Sequence, residues 1–190
     1  VRELQLKHPH WVALESRPPE PQGGGGVTVS SLLEYAQRIR PQRIIIGDLE
    51  GQELTTLMPR MYLGLDGVMM TARATSPEQL LYRLETTLLS SPEPASRAAL
   101  HQQIGAAFDI VIQLNQFACG TRKVTSICEL TSNEEDGTLL LNELFQFQKE
   151  GNDEDGNVVG AFAPTGAQPQ FYEDLARLGV ALDLSVFQPE

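Results

Sequence analysis

The chain has 190 residues, enough to bury one sizeable core, and its 41% hydrophobic and 21% charged content is ordinary for a globular protein. A formal net charge of −11 argues against nucleic acid as the main partner and against adhesion to anionic lipid. No window approaches the roughly 20 apolar residues of a membrane span, and no secretory leader pattern is present, so direct membrane insertion is not expected.

Residues 3–6 (Glu-Leu-Gln-Leu) and 11–14 (Trp-Val-Ala-Leu) are short strand-like runs. Glu15-Ser-Arg17-Pro-Pro follows, then four glycines at 23–26, which predict a surface loop without a fixed shape. His8 and His10 flank a proline and have too few neighbouring ligands to hold a metal. Residues 27–40 predict a helix: Thr28 or Ser30 can cap it, Leu32, Leu33, Ala36 and Ile39 recur at helical spacing, and Pro41 ends it. Arg38, Arg40 and Arg43 gather at its C-terminal end, where the helix dipole favours cations.

Ile44, Ile45 and Ile46 form a short β-branched run closed by Gly47, as in a strand buried on both faces of a parallel sheet. Asp48 follows at the carboxyl end, where open α/β sheets place their ligands. Residues 51–63 predict a helix with Leu54, Leu57, Met58 and Met61 as its core stripe and with Pro59 kinking it or ending it early. Residues 68–71 read as a second buried strand, which delivers Arg73 to the same edge as Asp48. Arg73 reads equally as a phosphate ligand and as the ion-pair partner of Asp48 or Glu50.

Ser76, Pro77 and Glu78 open a further helix that runs to about Leu89. Residues 95–108 predict another, with Leu100, Ile104 and Ala107 inward and His101 on the surface. From Asp109 the pattern turns to β. Residues 109–114 and 123–130 form a hairpin around 118–122, and residues 137–147 add a third strand. Residues 152–157 are an acidic turn without calcium-loop spacing, and 158–162 a last strand. A helix over 171–178 closes at Gly179. Of the two cysteines, Cys119 lies at the first hairpin tip and Cys128 faces roughly Gln113, so the two should not bridge; reduced thiols suit a cytosolic protein.

The stretch 43–85 also carries a resemblance. Arg43 to Gly47, then Gly51, Glu53, Met61, Gly64, Asp66, Gly67, Thr71, Ala74, Ser76, Pro77, Arg83, Leu84 and Glu85 fall, without a gap, in the pattern of the ATPases that drive type II and type IV secretion and type IV pilus assembly. The sequence is most similar to the tight-adherence pilus branch, and the similarity extends from about Glu3 to Phe187. It implies an α/β fold: the C-terminal part of a RecA-like P-loop NTPase domain, with mostly parallel central strands, flanking helices and a C-terminal antiparallel β extension, residues 1–190 making one partial domain. The sequence begins with valine and contains no G-x-x-x-x-G-K-[ST], so a fragment is expected whose phosphate loop lies upstream.

The resemblance further implies a motor that couples ATP hydrolysis to protein export or pilus assembly at the inner membrane. ATP and Mg would bind in the full-length parent, and not tightly to this fragment. Gly47 and Asp48 occupy the Walker B position, with Asp48 reaching magnesium through a water or orienting the attacking water; Arg73 would contact the terminal phosphate. Arg38, with Arg17 as a second candidate, would act as an arginine finger across a subunit interface; the other reading of Arg38 is a solvated cation. Partners would be further copies in a hexameric ring or a related motor ATPase, and an inner-membrane platform protein, with the chain cytoplasmic and peripheral to that membrane.

Four polar positions that the resemblance would turn toward nucleotide depart from the family pattern: Asp48 stands for a glutamate, Glu50 for an arginine, and Leu65 and Arg73 for histidines; Pro59 and Tyr62 also replace typical family residues. Aspartate shortens the reach of the carboxylate by roughly 1–1.5 Å, and misplacement on that scale can cost about 100-fold in rate. A catalytically inactive subunit that serves as a scaffold in a secretion motor is therefore the alternative, and enzymatic turnover is left open.

Overall fold

The computed structural model describes residues 4–49, 51–92, 94–133 and 135–189. It divides into two compact units, one of Val1–Arg73 with Thr86–Pro94 and the other of Ala74–Glu85 with Ala95–Glu190.

The first unit is built on a strand–helix–strand crossover. Helix α1 (Val29–Arg38) starts at Thr28, whose hydroxyl accepts from the Ser31 amide while the Ser31 side chain accepts from the Thr28 amide, a reciprocal capping box. Strand β1 (Ile44–Ile46) pairs in parallel with β2 (Val68–Met70), Ile44 opposite Val68 and Ile46 opposite Met70. Between them runs α2 (Gln52–Tyr62), whose expected stripe is the core: Leu54, Leu57 and Met58 are almost fully buried and Met61 nearly so, beside Leu33, Ile44, Ile46 and Leu49.

Two expectations change here and one is narrowed. Of the two outcomes expected at Pro59, an early end does not occur: helix α2 continues to Tyr62, and the Pro59 carbonyl accepts from the Leu63 amide at 3.2 Å. Proline removes one amide from the ladder, and burial of Leu57, Met58 and Met61 around it outweighs that loss. β2 is not fully buried: Met69 is exposed, while Val68 and Met70, which alternate with it onto the other face, are half-buried. The strand-like runs near the N-terminus form no strand among the described residues; the backbone pairing there is one bridge between Arg17 and Val27. That bridge gives the glycine run a shape, with the Glu20 amide donating to the Gly24 carbonyl and the Gly23 amide to the Glu20 carbonyl, both at 2.8 Å.

The second unit is an antiparallel meander in the order β3 (Ile110–Gln116), β4 (Arg122–Ser132), β5 (Leu139–Asn152), β6 (Val158–Pro164). This four-stranded antiparallel sheet stands where the C-terminal antiparallel extension is expected, beside the parallel pair of the first unit. Helix α3 (Pro77–Leu89), of which the part up to Glu85 belongs to this unit, begins at Ser76, whose hydroxyl accepts from the Gln79 amide. Helix α4 (Arg97–Ala107), capped by Ser96, packs on β4 and β5 through buried Leu100 and Ile104. Helix α5 (Phe171–Arg177) and a 3-10 turn at Leu184–Phe187 join an aromatic cluster, where Phe187 meets Phe145 at 5.5 Å and Tyr172 at 5.2 Å between ring centroids.

The first hairpin corrects the cysteine register. Its turn runs from Phe117 to Thr121, earlier than a turn centred on Gly120, and β4 carries an extra residue between Val124 and Ser126. Cys128 therefore faces Val111, not Gln113; both cysteines are free, Cys128 buried and Cys119 exposed.

Candidate functional site at the edge of the parallel pair

Beyond β1 the chain bends at Gly47 and Asp48, and beyond β2 it passes through Thr71 to Arg73. The hydrogen bonds of the ladder continue past the strands: the Thr71 amide donates to the Ile46 carbonyl (3.0 Å) and the Leu49 amide to the Thr71 carbonyl (2.8 Å). The Asp48 amide donates to the Thr71 hydroxyl at 2.8 Å. Asp48 has φ +53°, a left-handed conformation that short polar side chains adopt far more readily than branched ones. Three backbone-anchored bonds thus hold this acid where the sheet ends.

Arg73 lies against it side-on. Its Nε donates to Asp48 Oδ1 at 3.2 Å and its Nη2 to Oδ2 at 3.3 Å, so both carboxylate oxygens face one guanidinium. The side chains are 87% and 55% exposed, and an ion pair this open is worth at most about 1 kcal/mol. Of the two ion-pair partners considered for Arg73, the structure has Asp48; Glu50 lies outside the described residues.

The other candidates stand apart from this pair. Arg17 donates from Nε to the Gly25 carbonyl at 2.8 Å and exchanges backbone bonds with Val27, so it organises the glycine loop. Arg38 lies over the Tyr35 ring, 5.5 Å from its centroid. Among the described contacts neither touches Asp48 or Arg73. Thr71, quoted above only as a matching position of the family pattern, is part of this site through its hydroxyl; the signal is its place immediately after β2, level with the residues after β1.

The donor set at Asp48 does not fit a divalent ion bound directly by the carboxylate. Such ions take six or more oxygen ligands, whereas both oxygens of Asp48 are turned to a cation. No cluster of three or more acidic, histidine or cysteine side chains that could hold a metal occurs among the described residues. Elsewhere in the first unit a groove of about 650 Å³ is lined by hydroxyls, among them Ser30, Thr55, Thr87, Ser90 and Ser91; it offers no charge to a phosphate.

In the second unit the acids serve the fold. Glu129, 2% exposed, accepts from the Phe171 amide at 3.3 Å and so caps α5 from a strand, since Gln170 gives that helix no side-chain cap. His101 is not a solvated surface residue: its Nε2 lies 3.5 Å from Glu85 Oε1, which also receives the Arg97 guanidinium. Burial, and then the charge of Glu78, pushes the Glu143 carboxyl up, while the Ser76 hydroxyl holds Glu78 down. Burial pushes the Cys128 thiol up, which suits an inert core thiol. The 152–157 turn is a closed hairpin tip in which Asp153 accepts from the Asn157 amide at 2.7 Å. No helix among the described residues is long and apolar enough to cross a membrane.

No protein-family profile matches the chain. Over 132 residues it is 34% identical to a putative conjugal transfer protein of Mycobacterium tuberculosis, covering 70% of this chain and 37% of that protein. An uncharacterized protein of Methanocaldococcus jannaschii is 28% identical over 153 residues, or 78% of this chain and 53% of its own length. The conjugal transfer protein TrbB of Rhizobium radiobacter is 28% identical over 96 residues, 50% of this chain and 28% of that protein. The chain thus spans between about a quarter and a half of the length of these relatives, two of which carry the name of conjugal transfer proteins.

Proposed function

We propose that the chain is part of a subunit of a secretion or pilus-assembly ATPase, with the β1–α2–β2 crossover belonging to a RecA-like sheet. One observation carries the reading. Two chemistry-bearing residues, 25 positions apart, leave neighbouring parallel strands at the same carboxyl edge and meet there. Similarity to conjugal transfer proteins supports it from a separate direction.

In this reading ATP sits between neighbouring subunits of a ring, which is hexameric by family resemblance. Arg73 binds the terminal phosphate and Asp48 orients the attacking water. Arg38, exposed and lying over the Tyr35 ring, reaches across the interface, whereas Arg17 keeps its loop in shape. The ring works at the cytoplasmic side of the inner membrane against a platform protein. The alternative, an inactive scaffold subunit of such a motor, is favoured by one feature: Asp48 and Arg73 already satisfy each other.

The deciding experiment is steady-state ATP hydrolysis by the full-length parent beside its Asp48→Asn variant. Turnover that the substitution abolishes identifies a working motor. Nucleotide binding without turnover in either protein identifies the scaffold.

A further inference from the structure

We propose that Arg73 takes the place of a divalent cation at Asp48, so that this edge receives a terminal phosphate group through a guanidinium, with no metal bridging to the acid. The proposal rests on the nucleotide reading and adds the ligand chemistry of the site.

Three observations support it. First, the guanidinium meets both oxygens of Asp48 in parallel, which supplies the positive charge a metal would otherwise bring. Second, the two halves of the pair are anchored very differently. Asp48 is held by its amide bond to the Thr71 hydroxyl and by the Leu49–Thr71 bond that follows. The Arg73 side chain is 87% exposed, and no contact described for it other than Asp48 holds it. The acid is fixed and the cation can leave. Third, the pair is cheap to open: an exposed ion pair is worth at most about 1 kcal/mol, whereas a phosphate offers the same fork geometry with more charge. A phosphate arriving at this edge can therefore draw the guanidinium over while Asp48 stays in place. A metal must instead compete with the guanidinium for the same carboxylate, with no cluster of ligating side chains among the described residues to complete its ligand set.

The test uses this chain, with the Arg73 Nε–Hε resonance as reporter, assigned by its loss in Arg73→Lys. Inorganic triphosphate in the presence of EDTA is expected to shift that resonance saturably, while millimolar magnesium chloride alone leaves it unmoved. Asp48→Asn removes the competing carboxylate and should tighten triphosphate binding by about two- to fivefold, the equilibrium factor of an exposed pair. Arg73→Gln should abolish the triphosphate-dependent shift of the Thr71 amide. Magnesium alone moving the Arg73 resonance, in a manner lost in Asp48→Asn, would overturn the proposal. So would triphosphate binding that requires magnesium, or a resonance that neither ligand moves. Each of these failures leaves the motor reading standing if the full-length parent turns over ATP and Asp48→Asn stops it.

Discussion

Asp48 shows how a strained backbone position is held in place by a neighbouring segment. A non-glycine residue at φ +53° costs about 1–2 kcal/mol, and it persists here because Thr71 accepts its amide. Thr71→Val keeps the branched shape of the side chain and removes that acceptor. It should cost about 1 kcal/mol in urea unfolding and broaden the Asp48 amide resonance; an unchanged midpoint would mean that water replaces the hydroxyl fully. Asp48→Asn is conformationally mild, since asparagine also tolerates the left-handed region, so lost turnover in that variant reports chemistry and not folding. A second residue-scale prediction concerns pH. The folded state raises the Glu143 value above 4.5, so the ionised carboxylate weakens the fold at neutral pH, and that penalty disappears as pH falls below 4.5. Glu143→Gln should therefore be more stable than the parent chain at pH 7, with the two converging below pH 4.5. Glu78 has the opposite sign: its value is lowered, so its contribution is present above 4.5 and is lost as pH falls through the folded value. Parallel stability curves for the Glu143 variant and the parent would refute the assignment.

At the scale of elements, local chemistry and long-range pairing divide the work. Helix starts are local: Thr28, Ser76 with Pro77, and Ser96 each cap within four residues, so the caps at Thr28 and at Ser76 with Pro77 could be read directly from spacing. Strand registers are not local. The extra residue of β4 and the irregularity between Lys149 and Gly151 of β5 arise from how facing strands accommodate each other. Gly160 of β6 is the clearest consequence. A methyl group there would lie 2.1 Å from the Gln148 carbonyl oxygen and 2.9 Å from the Phe147 ring. Backbone cannot yield as a side-chain tip can, so Gly160→Ala should destabilise the β5–β6 hairpin by about 3 kcal/mol, read as a lowered urea midpoint and faster amide exchange in β6. A midpoint within error of the parent chain would show that the hairpin slides instead.

Across the whole molecule, charge is the property readable without any structure. A net charge of −11 opposes compaction through self-repulsion, and added salt screens it. The melting temperature should rise as sodium chloride is raised from low to physiological concentration, and a flat response would mean that the ion pairs lost to screening balance the repulsion relieved. The sequence by itself determined the β1–α2–β2 crossover, the core stripe of α2 and the arrival of Asp48 and Arg73 at one edge, because hydrophobic periodicity and capping act over a few residues. It also determined the resemblance to secretion ATPases, because an ungapped pattern is a one-dimensional property. Hydrophobic patterning likewise announced the antiparallel strands of the second unit, but only the tertiary structure decided that Glu129 is buried there as a cap for α5. Only it decided that Met69 is exposed, that Cys128 faces Val111, and that Asp48 is held by Thr71 and met on both oxygens by Arg73. The physical reason is common to these cases: burial, register and ion pairing depend on which distant segment comes alongside, and no local pattern encodes that partner.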